Sequence, residues 1–214
     1  MKIDTKIKVS VIMPSFLGEY EGCASDRENK FIRAVHSFLE NTIYDKELIV
    51  VGDNCSITEE VLKDYFHYEL SIGIIKFFNF KKKQKLFSGS LRSKGIELAS
   101  GEYICYLDTD DILGKGHLLS IYNQIKTENL DWAYFNDFIN SDAGLITKKV
   151  ELQKDSIGTS SIIHKKAKNI NWDNCDGYGH DYQFIQRLIK WSDKKDKIYG
   201  ATYIICHIPN QIDR

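Results

Sequence analysis

The feature that most constrains the fold is an alternation of short apolar segments with longer amphipathic ones through the first half of the chain. Short runs rich in apolar and β-branched residues predict strands at 7–13, 47–51, 72–78 and 103–107. The segments between them predict helices at 27–40, 56–66 and 90–99, the second opened by a capping box of Ser56 and Glu59. Strands that alternate with helices favour a parallel sheet with helices on both faces, which is the α/β class.

The second half of the chain is less regular but fits the same class. It predicts helices at 118–126 and 181–191 and strands near 132–138, 145–151, 160–164 and 203–206. No internal repeat, low-complexity tract or clear linker divides the 214 residues, and this length is typical of one large domain. We therefore expect a single domain over 1–214 with a Rossmann-like, mostly parallel central sheet flanked by helices.

Composition argues against several classes of protein. Lys and Arg number 29 against 30 Asp and Glu, so the net charge of −1 gives no overall field to hold nucleic acid or an anionic membrane. The five cysteines contain no CxxC pair, which argues against a disulfide framework or a zinc ribbon. The first residues do not resemble a signal peptide, and no apolar stretch approaches the roughly 18 residues of a membrane span. These features favour a cytoplasmic location.

An acidic turn, Asp108-Thr109-Asp110-Asp111, directly follows the apolar strand at 103–107. Carboxylates this close repel one another, and a divalent cation that prefers oxygen ligands shared with substrate phosphates would relieve the repulsion. Open α/β sheets bind ligands at the carboxyl ends of their strands, which favours this interpretation. A solvated loop with helix-capping aspartates is the alternative.

Asp53 also follows a predicted strand, in the segment Gly52-Asp53-Asn54. A carboxylate at this edge of a sheet can accept a hydrogen bond from a ring N–H of a nucleotide base. The same three residues are good turn formers, so taken alone an Asx turn is the simpler explanation.

Three segments in order, KVSVIMPSF, ELIVVGDNCS and SGSLRSKGIELASGEYICYLDTDD, together resemble family 2 glycosyltransferases of the GT-A fold, from about Lys8 to Asp111. The resemblance implies that 1–111 bind a nucleotide-sugar donor and 112–214 the acceptor. It further implies a metal-dependent, inverting enzyme with a DxD motif. Such an enzyme moves a sugar from a nucleotide-diphosphate donor, with UDP the expected nucleotide, to a hydroxyl of a glycan or glycolipid.

The resemblance also assigns roles to individual residues in the first half. Asp53 matches the base-reading aspartate, and Asp110 would bind Mn²⁺ or Mg²⁺, with His207 completing the metal site. The residues expected to contact the donor are Pro14, Ser15, Glu19, Asp53, Arg92, Asp108 and Asp111.

The segment Gly179-His180-Asp181 resembles the Glu-Asp motif that opens a late helix in inverting members, with His180 in place of the glutamate. Asp181 is therefore the expected catalytic base, and a plain helix N-cap is the alternative. His180 either orients the acceptor or Asp181, or is an ordinary loop histidine. His164 either lies on the acceptor side or is structural.

Two further features have simple explanations. The lysine run at 81–85 predicts a solvated loop, with a phosphate contact as the alternative. The aromatic residues at 132–138 are expected in the core, with a sugar-stacking surface as the alternative, and Asp131 and Asp137 beside them are expected to be surface acids.

Two other functions stay open at this point. A nucleotide- or glycan-binding module that kept the fold but lost transfer would share these features, and the short second half and His180 motivate it. A nucleotidyltransferase also places paired acids on a metal, but it usually carries a Gly-rich loop with Lys or Arg after its first strand, and PSFLGEYEG contains neither. No nucleic-acid partner is expected, and a lipid-linked acceptor would require only peripheral membrane contact.

Overall fold

The elements of the fold follow the chain in the predicted alternation. The computed structural model describes residues 7–85 and 89–214. Its strands are β1 (Val9–Ser15), β2 (Lys46–Gly52), β3 (Ile75–Asn79), β4 (Tyr103–Tyr106), β5 (Ile112–Leu113), β6 (Trp132–Tyr134), β7 (Asp137–Ser141), β8 (Gly144–Lys148), β9 (Ile162–Lys165), β10 (Lys195–Lys197), β11 (Tyr203–Ile205), β12 (His207–Ile208) and β13 (Ile212–Asp213). Its α-helices are α1 (Arg27–Leu39), α2 (Ser56–Tyr65), α3 (His67–Ser71), α4 (Ser90–Leu98), α5 (His117–Thr127) and α6 (His180–Trp191), and a 3-10 turn covers Thr159–Ser161.

The central sheet has the strand order β10-β6-β9-β4-β1-β2-β3. Strand β1 pairs in parallel with β2 and β4, and β2 pairs in parallel with β3. Strand β9 runs antiparallel to both of its neighbours, β4 and β6. The mostly parallel sheet expected from the sequence is therefore confirmed, and its parallel strands end at the same edge.

The sheet separates two hydrophobic cores. Successive side chains of β1 alternate between them, because side chains of a strand point to opposite faces. Val11 and Met13 belong to the core that α1, α2 and α5 cover, whereas Ile12 belongs to the core that α4 and α6 cover. Burial on both faces explains why these strands read as continuous apolar runs.

A second sheet of order β5-β11-β7-β8 and a β12-β13 pair extend the fold beside the acidic turn. The sequence predicts one strand over 132–138, but the chain leaves the central sheet after β6 and enters the second sheet at β7. Asp137 at that junction is fully buried, so its assignment as a surface acid is wrong. Its Oδ2 accepts hydrogen bonds from the hydroxyl groups of Ser161 (2.6 Å) and Ser160 (3.0 Å), and burial raises the pKa of its carboxyl group.

Other boundaries also differ from the predictions. Strand β3 begins at Ile75 instead of Ile72, because α3 and a turn at Gly73 (φ 76°) occupy the preceding residues. The capping box is wrong: the N-cap of α2 is Cys55 and Ser56 is already the first helical residue, while Glu59 pairs with Lys63 at 2.6 Å. Of the aromatic residues at 132–138, Trp132 and Phe135 are buried in the core as expected, whereas Tyr134 and Phe138 are only partly buried.

All five cysteines lie within the described ranges as free thiols. Among the helices of residues 7–85 and 89–214, none has the length and apolarity that crossing a membrane requires.

Candidate functional site

The carboxyl ends of β1, β2 and β4 open onto a cleft of about 370 Å³. Parallel strands end together at this edge of the sheet, which is where open α/β sheets bind ligands. The walls combine loops that follow these strands with the start of α6 and the segment at β12. Ten of the residues singled out in the sequence line the cleft: Pro14, Ser15, Asp53, Arg92, Asp108, Asp110, Asp111, His180, Asp181 and His207.

Tyr203 of β11 supports the acidic turn through hydrogen bonds of its hydroxyl group. Its hydroxyl group donates to Oδ2 of Asp111 at 2.9 Å and accepts from the backbone N–H of Asp108 at 3.1 Å. The backbone N–H of Cys206 donates to Oδ1 of Asp111 at 2.8 Å. Both carboxylate oxygens of Asp111 thus have protein partners, and this residue anchors the turn to the second sheet.

The carboxylates of this turn are electrostatically crowded. Burial, followed by the negative charges of Asp110 and Asp108, raises the pKa of Asp111 well above its usual range, against the hydrogen bonds it accepts. Burial and the charges of Asp110 and Asp181 also raise the pKa of Asp108, although Arg92 opposes this. A bound cation would relieve this repulsion.

Asp110 and Asp108 supply oxygen ligands of the kind that Mg²⁺ and Mn²⁺ prefer, so the donor set of the turn fits such a cation. Within residues 7–85 and 89–214, however, no three His, Cys, Asp or Glu side chains are already gathered as a metal site. The missing ligands would have to come from the donor phosphates or from rearranged side chains.

His207 lines the cleft, but both of its ring nitrogens are engaged. Nδ1 lies 3.2 Å from Oδ1 of Asp213, and Nε2 lies 2.9 Å from the carbonyl oxygen of Gly22. Both partners accept hydrogen bonds, whereas a histidine that binds a metal needs an unprotonated nitrogen. In this conformation both ring nitrogens of His207 therefore face protein acceptors, and a cation would have to displace one of them.

Asp53 lies at the other end of the cleft and is mostly buried. Its backbone N–H donates to the carbonyl oxygen of Ser15 at 2.9 Å, and its Oδ1 accepts from the backbone N–H of Gln84 at 2.6 Å. An Asx turn would use a backbone N–H two residues further on, but the N–H of Cys55 donates to Oδ1 of Asn79. The Asp53 side chain therefore links the residues that follow β2 to the loop at Gln84, and it does not close a local Asx turn.

The lysine run at 81–85 borders the cleft through Lys83 and Lys85. Nζ of Lys83 lies 3.8 Å from the ring centre of Phe16, and Nζ of Lys85 lies 4.0 Å from Oδ2 of Asp176. The run is thus an exposed loop, as predicted, and two of its cations line the cleft.

Arg92 contacts both the acidic turn and the first residue of α6. Its Nη2 lies 3.2 Å from Oδ1 of Asp108, its Nη1 lies 3.4 Å from Nε2 of His180, and its guanidinium lies 5.2 Å from the ring centre of Trp172. Only 11% of the side chain is exposed, so the cation is held in place on α4.

Asp181 is the second residue of α6. The N-cap is Gly179, which adopts φ 89°, so Asp181 is not a plain N-cap residue. Nε2 of His180 lies 2.9 Å from its Oδ1. Burial opposes ionisation, but the close contact with His180 and the charges of Arg92 and Lys148 outweigh it and lower the pKa of Asp181 below its usual value. The side chain is an anion at the first turn of a helix, where the dipole favours it.

Two predicted site residues do not reach the cleft. Glu19 is exposed and lines a neighbouring hollow beside Tyr20. His164 is fully buried on β9, where its Nδ1 lies 2.9 Å from the carbonyl oxygen of Lys165 and its Nε2 lies 2.8 Å from the hydroxyl group of Tyr106. Burial lowers the pKa of His164 to about 4, so its place is that of a neutral core histidine.

Two residues that hold the site were not anticipated from the sequence. Tyr203 supports the acidic turn, and Nη2 of Arg33 on α1 donates to the carbonyl oxygen of Asp110 at 2.8 Å and to that of Arg214 at 2.9 Å. Each lies more than 70 residues from the residue that it holds in the acidic turn, and neither belongs to a local motif.

The model of glycosyl transferase family 2 matches residues 10–187 of this chain. Among curated proteins, the poly(ribitol-phosphate) beta-N-acetylglucosaminyltransferase TarP of Staphylococcus aureus is 32% identical over 158 residues, which are 73% of this chain and 44% of TarP. The minor teichoic acid biosynthesis protein GgaB of Bacillus subtilis is 26% identical over 91% of this chain and 22% of GgaB.

Among solved structures, S. aureus TarS 1-349 superposes with a TM-score of 0.73 at 16% identity, covering 92% of this chain and 60% of TarS 1-349. The complex of TarS 1-349 with UDP-GlcNAc gives a TM-score of 0.71 at 17% identity, over 92% of this chain and 58% of that one. The chain spans less than half the length of TarP and about 60% of TarS 1-349. The match confirms the GT-A fold, and the family model, which covers most of the chain, shows that this protein belongs to glycosyl transferase family 2.

Proposed function

We propose that the protein transfers a sugar from a nucleotide-diphosphate donor, with a UDP-sugar the first candidate, to a hydroxyl group of a glycan or glycolipid. The observation that carries this proposal is the convergence of Asp53, Asp110 and Asp181 on one cleft, from three distant parts of the chain. Family membership and the structural match to a protein solved with UDP-GlcNAc support the same reaction.

The donor would lie along the cleft with its base at Asp53 and its diphosphate near the acidic turn. A carboxylate at Asp53 accepts a hydrogen bond from the ring N–H of uracil, and Lys83 and Lys85 add positive charge on the path to the diphosphate. Arg92 pairs with Asp108 and so keeps that carboxylate at the floor of the cleft.

Asp110, together with Asp108, would hold Mn²⁺ or Mg²⁺. When bound, such a cation neutralises the negative charge that develops on the departing diphosphate. His207 could join the site only after giving up its contact with Gly22 or with Asp213.

Asp181 would act as the general base. Its lowered pKa keeps the carboxylate ionised at neutral pH, so it can take the proton of the acceptor hydroxyl. The acceptor oxygen would then attack the anomeric carbon from the side opposite the nucleotide, which inverts the configuration at that carbon. Holding donor and acceptor together supplies much of the remaining acceleration.

The acceptor would enter through a groove of about 320 Å³ that shares His180 and Asp181 with the cleft. Lys148, Lys154 and the exposed Tyr178 also line this groove. Lysines suit phosphate groups and an exposed tyrosine suits a sugar ring. TarP is named for poly(ribitol-phosphate) and GgaB for a minor teichoic acid. A glycan or polyol-phosphate polymer is therefore the acceptor to test first.

A binding module without transfer activity would have no need of Asp181 beside the acceptor groove. The two functions are separated by incubating the protein with UDP-GlcNAc and other UDP-sugars, with Mn²⁺ or with EDTA, and measuring the UDP released. We expect release that EDTA abolishes and that Asp110→Asn and Asp181→Asn each reduce at least about a hundredfold. The exposed Asp193 gives a matched control, and Asp193→Asn should leave release unchanged.

Binding of UDP, measured by calorimetry in the same variants, completes the test. Asp181→Asn should keep the affinity for UDP with Mn²⁺, whereas Asp110→Asn should lose the effect of Mn²⁺ on that affinity. UDP bound tightly by a protein that releases none from any UDP-sugar would favour the binding module instead.

A further inference from the structure

Lys148, the last residue of β8, is partly buried, unlike the rest of its strand. Residues 144–147 are exposed, whereas only 31% of the Lys148 side chain is exposed. Lys148 lies opposite Asp137 of β7 in the pairing of the two strands, and its Nζ lies 3.5 Å from Oδ2 of that residue. The next residue, Lys149, is exposed. Two adjacent lysines therefore have different environments, and the first is paired with a buried carboxylate.

Asp137 is a fixed partner for this cation. The residue is fully buried, and its Oδ2 also accepts hydrogen bonds from the hydroxyl groups of Ser161 at 2.6 Å and Ser160 at 3.0 Å. A buried carboxylate is costly unless it is paired and hydrogen-bonded. Burial raises the pKa of Asp137, and the positive charge of Lys148 opposes this rise. The buried pair therefore holds Nζ of Lys148 near one position.

Lys148 lines the same groove of about 320 Å³ as Asp181. The two side chains interact electrostatically, since the charge of Lys148 helps to lower the pKa of Asp181. An ammonium group has three N–H donors, and Asp137 is the one ion-pair partner of Lys148 within residues 7–85 and 89–214. Nζ can therefore bind an anionic oxygen atom in the groove and keep its contact with Asp137.

Gly158 leaves space for an acceptor beside the carboxylate of Asp181. A Cβ atom on this glycine would lie 3.5 Å from Oδ2 of Asp181 and 4.0 Å from Oγ of Ser160. The backbone of Gly158 is extended, with φ −134° and ψ −171°, so any residue could adopt this conformation. The space therefore exists because the residue has no side chain, and Gly158, Asp181 and Lys148 all line the groove.

We propose that Lys148 binds a phosphate group of the acceptor and so determines acceptor specificity, with Asp137 as its positioning residue; this inference rests on the proposed function. The acceptor hydroxyl would lie at Asp181, and the neighbouring phosphate group at Nζ of Lys148. A lysine ammonium binds phosphate as a point charge. Without that charge, the carboxylates of Asp181 and Asp108 would repel an anionic acceptor. An acceptor without a negative charge gains nothing from Lys148.

Calorimetry with ribitol phosphate and with ribitol tests this binding without turnover. The two compounds differ by one phosphate group, and saturating UDP with Mn²⁺ keeps that group out of the donor site. We expect the wild-type protein to bind ribitol phosphate at least about tenfold more tightly than ribitol. Lys148→Gln should lose this preference, whereas Lys148→Arg, which keeps the charge, should retain most of it. The exposed neighbour provides the matched control, and Lys149→Gln should bind both compounds as the wild type does.

Two further variants separate phosphate binding from general damage to the groove. Asp137→Asn can still accept the serine hydroxyl groups through its amide oxygen, but it loses the charge that holds Lys148. The preference for ribitol phosphate should therefore fall about threefold. Gly158→Ala should weaken the binding of both compounds by a similar factor, because its methyl group occupies space beside Asp181. An ion pair with a merely structural role would not change the ratio of the two affinities.

Equal binding of the two compounds by the wild-type protein, or a preference that Lys148→Gln retains, would overturn the inference. Unchanged affinities in Gly158→Ala would also overturn it, because the ligand would then lie outside the groove. UDP release from a UDP-sugar in the same samples would leave the proposed function intact in either case. A wild-type protein that releases no UDP from any UDP-sugar would instead remove the proposed function, and the affinities would still decide whether Lys148 binds the phosphate group.

Discussion

The hydroxyl group of Tyr203 lies 2.9 Å from Oδ2 of Asp111 and is fully buried with it, so a strand of the second sheet carries the support for the acidic turn. The same oxygen accepts from the backbone N–H of Asp108 at 3.1 Å. One side chain therefore fixes both ends of a turn whose carboxylates repel one another. A residue of the second half of the chain therefore supports a turn that belongs to the first half.

Replacing Tyr203 by Phe removes this support with little change in volume. Asp111 loses a donor and the N–H of Asp108 loses an acceptor, both in a buried place, so we expect the free energy of unfolding to fall by about 1–3 kcal/mol. Urea unfolding measures this. Tyr44→Phe, at a fully exposed position, should change it by less than about 0.5 kcal/mol. Equal effects of the two variants would contradict the assigned role of Tyr203.

Replacing Asp53 by Ala should weaken the binding of UDP. The variant loses the acceptor expected for the base, and it frees the N–H of Gln84, which now donates to Oδ1 at 2.6 Å. We expect the affinity for UDP, measured by calorimetry, to fall about tenfold, which corresponds to about 1.4 kcal/mol. The exposed Asp64 on α2 provides a control, and an affinity as high in Asp53→Ala as in Asp64→Ala would remove Asp53 from the donor site.

Two buried histidines should make the folded state less stable in mild acid. Burial lowers the pKa of His117 to about 3 and that of His164 to about 4. Between their ordinary value of about 6.5 and these values, the unfolded chain binds protons that the folded chain does not, so stability falls as the pH falls. Each histidine should cost about 2 kcal/mol between pH 6.5 and pH 5.

The contribution of His117 can be isolated by His117→Gln, whose amide oxygen can still accept the backbone N–H of Thr202 that Nδ1 now accepts at 2.9 Å. The free energy of unfolding of this variant should depend less steeply on pH in that interval than that of the wild type. His36→Gln, at an exposed position, should leave the slope unchanged. A slope that His117→Gln does not alter would show that this histidine already takes up a proton when folded.

The central strands could be predicted because a strand buried on both faces needs apolar residues at nearly every position. Residues 47–51 read as an apolar run, and β2 is buried along its whole length. The junction between β6 and β7 was not predicted, because only Asn136 and Asp137 interrupt the apolar and aromatic residues of 132–138 and a strand can also carry two polar residues. The buried Asp137 shows the same limit, because its hydroxyl partners lie more than 20 residues away.

The cleft was predictable to the extent that its residues follow strands of the parallel sheet. Asp110 was singled out in this way, because parallel strands of one sheet deliver the residues after them to one edge. Asp53 also follows such a strand, but its role as a ligand-binding residue required the family resemblance. Asp181 and His180 required the family resemblance, because their helix comes from the irregular second half. Tyr203 and Arg33 carry no local signal, since each acts only through a contact across the fold.

The most direct test of the proposed reaction site is a crystal structure of the protein with UDP and Mn²⁺. We expect uracil to contact the carboxylate of Asp53 and the cation to lie between the diphosphate and Asp110, on the same side of the cleft as Arg92. UDP and Mn²⁺ bound elsewhere, for example in the groove of about 670 Å³ beside Lys94 and Lys166, would contradict the assignment of this cleft as the site of transfer.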